Sequence, residues 1–229
     1  CFPWWRHAVG THLPSAPRRP SPARHQALHQ YRARADGYDS ELEPFEPLRR
    51  EAIQRLDLRP GETVLDVGCG TGLSLAPLLQ RLGPQGRIVG IEQCPDMLAR
   101  ARERLTPAQR PQVRLVQASA EAARWRGQAD AALLHFTHDI VRHPAALDIV
   151  FKHLKPGARV VATGLQWAPA WAVAVNAFVL GAALYSISSL DGLDRPWSVL
   201  EERLKDFEVT PEWMGGVYIA SGVKQPPAA

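Results

Sequence analysis

From residue 45 onward, short apolar runs alternate with segments in which apolar residues recur every three or four positions. The apolar runs predict buried strands, and the periodic segments predict helices that pack one face against a core. Strands that alternate with helices favour a parallel sheet with right-handed crossovers, so this region has the pattern of an α/β fold. Five strands are predicted, at 64–67, 87–92, 113–117, 130–134 and 158–163.

Two of the intervening helices have clear stop signals. Residues 45–58 form one, with Ile53 facing inward and Arg49 facing solvent, before an Arg-Pro-Gly stop. Residues 143–154 form the other, and a Lys-Pro-Gly turn at 155–157 separates it from the fifth strand. Proline and glycine thus mark where each helix gives way to the next strand.

The two ends of the chain do not follow this alternation. Residues 1–24 contain five prolines and no periodic pattern, which predicts a disordered basic tail. Residues 25–40 have helical spacing, and the apolar character of 207–210 and 217–220 favours two further strands. Residues 223–229 are expected to form a loose tail.

The segment 167–187 has 21 residues and no charged side chain. That length reaches the span of a membrane helix, but Pro169, Asn176 and Gly181 weaken this interpretation. The segment also lies between a core strand and an acidic stretch. We therefore expect an apolar cap over 167–190, while a contact with a second copy or a membrane surface, or a membrane-associated structural role, stays an alternative.

The positive charge is confined to the N-terminal end. Residues 1–35 carry six arginines and no acid, whereas the rest of the chain carries 21 basic and 23 acidic side chains. A nucleic-acid-binding domain has its basic residues clustered on folded elements, so no nucleic-acid partner is expected. The three cysteines form neither a disulfide framework nor a metal-binding pair, and no long apolar leader is present, which favours a cytoplasmic protein.

The most informative stretch is VLDVGCGTG at 64–72, in which three glycines separate a strand from a helix. Glycines allow a ligand to lie against bare backbone, and the helix start offers unpaired N–H groups. The spacing differs from the dinucleotide fingerprint, and no Gly-Lys-Ser/Thr follows, which excludes a P-loop. Asp66 disfavours a pyrophosphate and favours a cationic or amine-bearing ligand.

This stretch resembles the first motif of the class I methyltransferases that use S-adenosylmethionine. In that family the loop wraps the methionine end of the cofactor, and the acid lies near its amino group. The resemblance covers residues 30–165 and implies a Rossmann-like, doubly wound sheet of about seven strands, mostly parallel, with an antiparallel closing strand. It makes 25–222 a single methyltransferase domain with N-terminal lid helices.

Further cofactor contacts follow from this resemblance. Glu92 ends the second strand and is placed to accept both ribose hydroxyls. Ser119 stands where the family usually has an aspartate that binds the adenine amino group, and a hydroxyl accepts more weakly than a carboxylate. Met97 fits a contact with adenine and a place in the core equally well. Tyr38 likewise fits a lid over the cofactor and a role in packing its helix against the core. The expected cofactor-binding residues are Tyr38, Asp66, Gly68, Gly70, Gly72, Glu92, Gln93, Met97, Ser119, Ala120 and His135.

Two histidines and an acid follow the fourth strand, at the edge of the sheet where ligands bind in open α/β folds. Histidine titrates near neutrality, so His135 and His138 are candidate general bases that Asp139 would orient. No third or fourth ligand lies near enough in the sequence to favour a metal. Alternatively, His135 lines the cofactor site and His138 caps a helix.

Together these features predict transfer of a methyl group from S-adenosylmethionine to a small, apolar or amphiphilic acceptor. The apolar cap favours such an acceptor. The overall pattern looks most similar to the quinone and phospholipid N-methyltransferase branch. A non-catalytic module that binds S-adenosylmethionine or a related nucleoside is the alternative, which Ser119 favours. A nucleotide-dependent oxidoreductase is disfavoured by the glycine spacing.

Overall fold

The computed structural model describes residues 42–186 and 189–225. Predictions for 1–24 and 25–40, including the lid residue Tyr38, lie outside the described residues. Seven strands form one sheet in the order β3-β2-β1-β4-β5-β7-β6. The strands are β1 (Thr63–Val67), β2 (Arg87–Glu92), β3 (Val113–Gln117), β4 (Ala129–His135), β5 (Leu154–Leu165), β6 (Leu204–Glu212) and β7 (Val217–Lys224).

Helices cover both faces of this sheet, as the connections between parallel strands require. Short 3₁₀ turns at Glu43–Phe45, Arg110–Gln112 and Trp213–Gly215 lie between the longer elements. The α-helices are α1 (Glu46–Arg55), α2 (Leu75–Leu82), α3 (Pro95–Arg104), α4 (His138–Val141), α5 (Pro144–Lys152), α6 (Val173–Ser186) and α7 (Ser198–Glu201).

The strand order confirms the predicted doubly wound α/β sheet. Strands β1 to β5 run parallel, and β7 lies antiparallel between β5 and β6. The chain moves outward from β1 to β3 and then returns to place β4 on the other side of β1. Ligands of open α/β sheets bind at such a reversal, beyond the carboxyl ends of the strands.

Most predicted strands have the expected bounds. The strands predicted at 87–92 and 113–117 are confirmed without change, and those at 64–67 and 130–134 extend by one residue at one or both ends. The two closing strands pair as expected, with Val209 opposite Ala220. The short apolar runs in the sequence therefore predict the strands of the sheet well.

The expected start of β5 was wrong. Helix α5 ends at Lys152, and the strand begins at Leu154, so the predicted turn at 155–157 lies within the strand. Leu154 already pairs with Ala129, whose N–H donates to the His153 carbonyl over 2.8 Å. Gly157, with φ of 76°, allows the irregularity that the proline-glycine pair introduces.

Two other boundaries also differ from expectation. The helix predicted at 45–58 is a 3₁₀ turn followed by α1, and it ends by Asp57, which has φ of 44°. Residues 223 and 224 were expected in a loose tail, but they belong to β7, which continues to Lys224, and residues 226–229 lie outside the described residues. The Lys224 ammonium donates to the carbonyls of Phe151 and Leu154, both over 2.6 Å, which ties the end of β7 to the loop before β5.

Alternation along the central strands assigns each side chain to one face of the sheet. Val64, Leu133 and Val161 belong to the apolar cluster beneath α1 and α2. The residue two positions later in each strand points to the same face, near the carboxyl edge. These three residues are polar: Asp66, His135 and Thr163.

Helix α6 contains most of the predicted apolar cap, and it is apolar on all sides. Only Val179 and Ala183 are buried, while Val173 and Leu184 are 71% and 65% exposed. A helix with this composition leaves much of its apolar surface uncovered by the described residues. Within 42–186 and 189–225, the helices are all too short or too polar to span a bilayer.

Candidate active site

The glycine turn connects β1 to α2 and depends on backbone that other residues rarely adopt. Gly68 and Gly72 have φ of 70° and 82°. A Cβ atom at Gly68 would lie 2.5 Å from Cγ2 of Thr137, and one at Gly72 would lie 2.8 Å from Cδ1 of Leu75. The N–H of Gly68 donates to the Ile91 carbonyl over 2.8 Å, which holds the turn against the end of β2.

Glu92 fixes the other side of the turn. One carboxylate oxygen accepts from the N–H of Gly70 over 3.1 Å, and the other accepts from the N–H of Cys94 over 2.7 Å. Burial raises the pKa of Glu92, and these backbone donors oppose that rise. A carboxylate has about four acceptor positions, so the same oxygens retain capacity for ligand hydroxyls.

Asp66 lies below the turn and is 1% exposed. Its Oδ2 atom is buried without a hydrogen-bond partner. The pKa of Asp66 is raised to about 7, mainly by burial, with the charge of Arg49 opposing the rise and the charge of Glu92 adding to it. A cationic amine placed here would supply the missing donor and favour the ionised carboxylate.

Arg49, on α1, was expected to face solvent, and that prediction was wrong. It is 4% exposed, and it donates to Ser74 Oγ and Glu46 Oε2, each over 3.0 Å. Its Nη2 atom is buried without a partner. Helical periodicity predicts the burial of Arg49, because Arg49 precedes the inward-facing Ala52 and Ile53 by three and four residues.

His135 is held by a neighbouring strand. Its Nδ1 atom lies 2.7 Å from Thr163 Oγ1, and its Nε2 atom is buried without a partner. Burial lowers the pKa of His135 well below its usual range, and the charge of Arg49 lowers it further. The imidazole is therefore neutral at physiological pH, with one nitrogen fixed by Thr163 and the other available to a ligand.

His138 and Asp139 do not form the hydrogen-bonded pair that the sequence suggested. Both ring nitrogens of His138 are buried without a partner, and its helix is preceded by Thr137 as the N-cap. Burial and Arg142 lower the pKa of His138, which the charge of Asp139 opposes. Among residues 42–186 and 189–225, no group of three or more His, Cys, Asp or Glu side chains is arranged to hold a metal ion.

The remaining predicted cofactor residues surround the ends of β2 and β3. Ser119 is 6% exposed with an unpartnered Oγ, and Ala120 beside it is 3% exposed. Met97 is 1% exposed within the core, whereas Gln93 is half-buried. A role for these residues in cofactor binding stays a prediction.

The orphaned polar atoms form a pattern that fits S-adenosylmethionine. A buried polar group without a partner costs about 1–3 kcal/mol, so several at one edge of a sheet indicate that a ligand satisfies them. A carboxylate oxygen and a guanidinium nitrogen match an amino-acid group, and the serine hydroxyl lies beyond β3. The unpartnered atoms at this edge include Asp66 Oδ2, Arg49 Nη2, Ser119 Oγ and His135 Nε2, together with Thr137 Oγ1 and both ring nitrogens of His138.

An aromatic cluster connects this edge to the apolar cap. The ring of Phe136, next to His135, meets Phe45 at a centroid distance of 4.9 Å. Phe45 in turn stacks on Trp213 at 4.7 Å and on Phe178 of α6 at 6.5 Å. Phe178 and Trp213 line an apolar cavity of about 340 Å³ beside α6.

A second cavity lies at the opposite edge of the sheet. It has a volume of about 350 Å³ and is lined by residues at the amino ends of β1, β2 and β3, including Thr63, Arg87 and Arg114. None of the predicted cofactor-binding or catalytic residues that the structure describes lines it. The chemistry of the glycine turn therefore belongs to the carboxyl edge.

The central part of the chain is similar to known proteins. Residues 64–157 match the family model described as a methyltransferase domain. The chain is 36% identical over 112 residues to trans-aconitate 2-methyltransferase of Azoarcus sp. (strain BH72), which covers 47% of this chain and 41% of that protein.

Two further similarities extend this result. The chain is 34% identical over 113 residues to 2-phytyl-1,4-naphtoquinone methyltransferase of Thermosynechococcus vestitus, covering 48% of this chain and 49% of that protein. An S-adenosylmethionine-dependent methyltransferase structure from Aquifex aeolicus has a TM-score of 0.59 at 19% identity, covering 84% of this chain and 97% of that one. The structural likeness shows the fold, and the chain matches just under half the length of these curated relatives.

Proposed function

We propose that this chain, in which residues 64–157 match a methyltransferase domain, transfers the methyl group of S-adenosylmethionine to a small, apolar or amphiphilic acceptor. The observation that carries the proposal is the pair of unpartnered atoms, Asp66 Oδ2 and Arg49 Nη2, buried beside the glycine turn. An amino-acid group supplies one partner to each.

The cofactor would be held at both of its ends. Asp66 accepts from the amino group, and Arg49 donates to the carboxylate. The glycine turn brings backbone close to the sulfonium side of the molecule. Glu92 accepts from the ribose hydroxyls, and Ser119 accepts from the adenine amino group in place of the family's aspartate.

When bound, S-adenosylmethionine supplies an electrophilic methyl group on a sulfur that is already a good leaving group. The protein's task is then to orient the acceptor and to exclude water. Well-oriented intramolecular reactions gain about 7–11 kcal/mol from such positioning. The aromatic cluster of Phe45, Phe136, Phe178 and Trp213 would provide the water-excluding wall.

An acceptor that carries a proton on its nucleophilic atom also needs a base. His135 is the favoured residue, because its ring is neutral, Thr163 fixes Nδ1, and Nε2 has no partner among the described residues. In this role Nε2 takes the proton from the acceptor. His138 is the second candidate for the same step, although no hydrogen bond from Asp139 orients its ring.

The acceptor class is inferred from the cap. The cavity of about 340 Å³ beside α6 is lined almost wholly by apolar side chains, and the aromatic cluster joins it to His135. An apolar or amphiphilic molecule, such as a quinone or a lipid, fits these walls. The exposed apolar face of α6 would let such a molecule enter from a membrane surface. Free, buried Cys69 and Cys94 fit a reducing compartment such as the cytoplasm.

Radiolabelled S-adenosylmethionine tests the proposal with two acceptor pools. We expect label to pass to an apolar naphthoquinol and little to pass to soluble primary amines. Equal labelling of both pools would overturn the acceptor class. Tight cofactor binding with no transfer to any pool would instead support a binding module, the alternative that Ser119 favours.

A further inference from the structure

Three tryptophans surround a cavity that the proposed reaction does not use. The cavity has a volume of about 580 Å³ and lies beyond the carboxyl end of β5. Trp167 follows that strand, Trp171 precedes α6, and Trp197 precedes α7. The N–H of Trp167 donates to the Leu193 carbonyl over 2.8 Å, so backbone hydrogen bonding brings two of these segments together.

The polar groups available at this cavity are hydrogen-bond acceptors. The carboxylate of Asp194 lines it and makes no hydrogen bond or ion pair with the residues that the structure describes. Gln166 is 7% exposed, and its amide nitrogen donates to the Gly215 carbonyl over 2.9 Å. This bond leaves the amide oxygen of Gln166 buried without a partner.

Positive side chains are missing from the cavity wall formed by the described residues. Its remaining lining is alanine, proline, methionine and glycine. The nearest cation in the sequence is Arg195, which is bound to Glu201 over 2.6 Å. An anionic ligand would therefore meet the charge of Asp194 without a cation in the lining to balance it, since the Arg142 guanidinium packs against Gly192 and does not line the cavity.

We propose that this three-tryptophan cavity binds an organic cation of the alkylated ammonium class. Indole faces attract cations through the ring quadrupole, and aromatic cages around quaternary ammonium groups are the best-known use of this attraction. Asp194 supplies the counter-charge, and the apolar walls suit alkyl substituents on nitrogen. A hydrated metal ion would gain little from the indole faces.

This inference goes beyond the proposed function and does not depend on methyl transfer. Binding is measured without cofactor, so a negative result here leaves the methyltransferase proposal intact. The probe is choline, and the matched control ligand is 3,3-dimethyl-1-butanol, which has the same shape without the charge.

An NMR titration that follows the indole N–H signals tests the proposal on the full chain. We expect saturable shifts of Trp167, Trp171 and Trp197 with choline, while Trp125, at the other edge of the sheet, stays unchanged. The neutral alcohol should bind about tenfold more weakly or worse, as loss of one favourable charged contact predicts.

Two substitutions locate the site. Trp171→Ala should weaken choline binding about fivefold, and it removes a side chain that is 75% exposed, so the fold is preserved. Asp194→Asn should weaken it by a similar factor, whereas Glu202→Gln and Leu184→Ala should not. The proposal is overturned if choline causes no saturable shift, if the alcohol binds equally well, or if neither cavity variant weakens binding.

Discussion

Arg49 and Asp66 are buried on the same side of the sheet, and each keeps one polar atom without a hydrogen-bond partner. The charge of Arg49 also lowers the pKa of Asp66, so the two groups interact across the space beside the glycine turn. They are not joined in a salt bridge. This separation of opposite charges suits a zwitterionic amino-acid group that contacts both.

Replacing Arg49 should weaken binding only of ligands that carry the amino-acid group. We expect Arg49→Met to reduce the affinity for S-adenosylhomocysteine about tenfold or more, the usual effect of losing a charged hydrogen bond. Binding of 5′-methylthioadenosine, which lacks that group, should be unchanged. Calorimetric titration of both ligands measures the difference.

Arg50→Met is the matched control, because Arg50 lies on the same helix with a side chain that is 76% exposed. It should bind both ligands as the unsubstituted chain does. An equal loss for both ligands in Arg49→Met would mean that Arg49 supports the fold and does not read the carboxylate.

Asp66 should make stability depend on pH in an unusual direction. Its pKa is raised from 3.8 to about 7 in the folded chain, so the folded state keeps a proton that the unfolded state has lost. This favours the folded state at low pH, and the contribution falls by about 3 kcal/mol as the pH rises from 4 to 7. Asp66→Asn removes the effect.

Urea denaturation of both forms in the absence of ligand checks this expectation. The free energy of unfolding of the unsubstituted chain, minus that of Asp66→Asn, should decrease between pH 4.5 and 7.5. The buried histidines have lowered pKa values and act in the opposite direction, but they are common to both forms. A difference that does not vary with pH would contradict the assignment.

His135 should affect turnover more than cofactor binding. With an acceptor that must lose a proton, His135→Asn should reduce kcat by about 10²–10⁴, the usual contribution of a general base. Thr163→Val should reduce it less, since the ring stays in place but loses the bond that orients it. Steady-state kinetics and S-adenosylhomocysteine titration separate the two effects. A large loss in His138→Asn with normal turnover in His135→Asn would transfer the role to His138.

The aromatic cluster should control acceptor affinity. Phe178→Ala should raise KM for an apolar acceptor about fivefold to tenfold, because Phe178 is 46% exposed in the free chain and an acceptor that covers it would gain about 1 kcal/mol. Leu184→Ala, on the same helix but outside the cavity lining, should leave KM unchanged. Kinetics at saturating S-adenosylmethionine compare the two variants. Equal KM values would place the acceptor elsewhere.

The sheet and its glycine turn are predictable because their signals are local. Alternating apolar runs define the bounds of β2 and β3, and the nine residues at 64–72 are enough by themselves to indicate the family. The start of β5 is not predictable in this way, because Leu154 pairs with Ala129, which is distant in sequence. Turn-forming residues at 155–157 therefore indicate the wrong boundary.

No short sequence pattern predicts which residues interact with the charged and polar groups of the site, because their partners are distant in sequence. His135 is oriented by Thr163, 28 residues away, instead of the neighbouring Asp139. Arg49 is charged and is therefore expected on the solvent side, although its spacing from Ile53 places it on the buried face. Charged side chains are usually exposed to solvent. Exceptions to this rule, such as Arg49, are expected at functional sites.

The central claim is that the carboxylate of Asp66, beside the glycine turn, binds the amino group of S-adenosylmethionine. Calorimetric titration of S-adenosylhomocysteine into the unsubstituted chain and into Asp66→Asn tests it most directly. We expect one ligand per chain and an affinity about tenfold or more lower in the variant. No binding to the unsubstituted chain, or equal binding to both forms, would contradict the account.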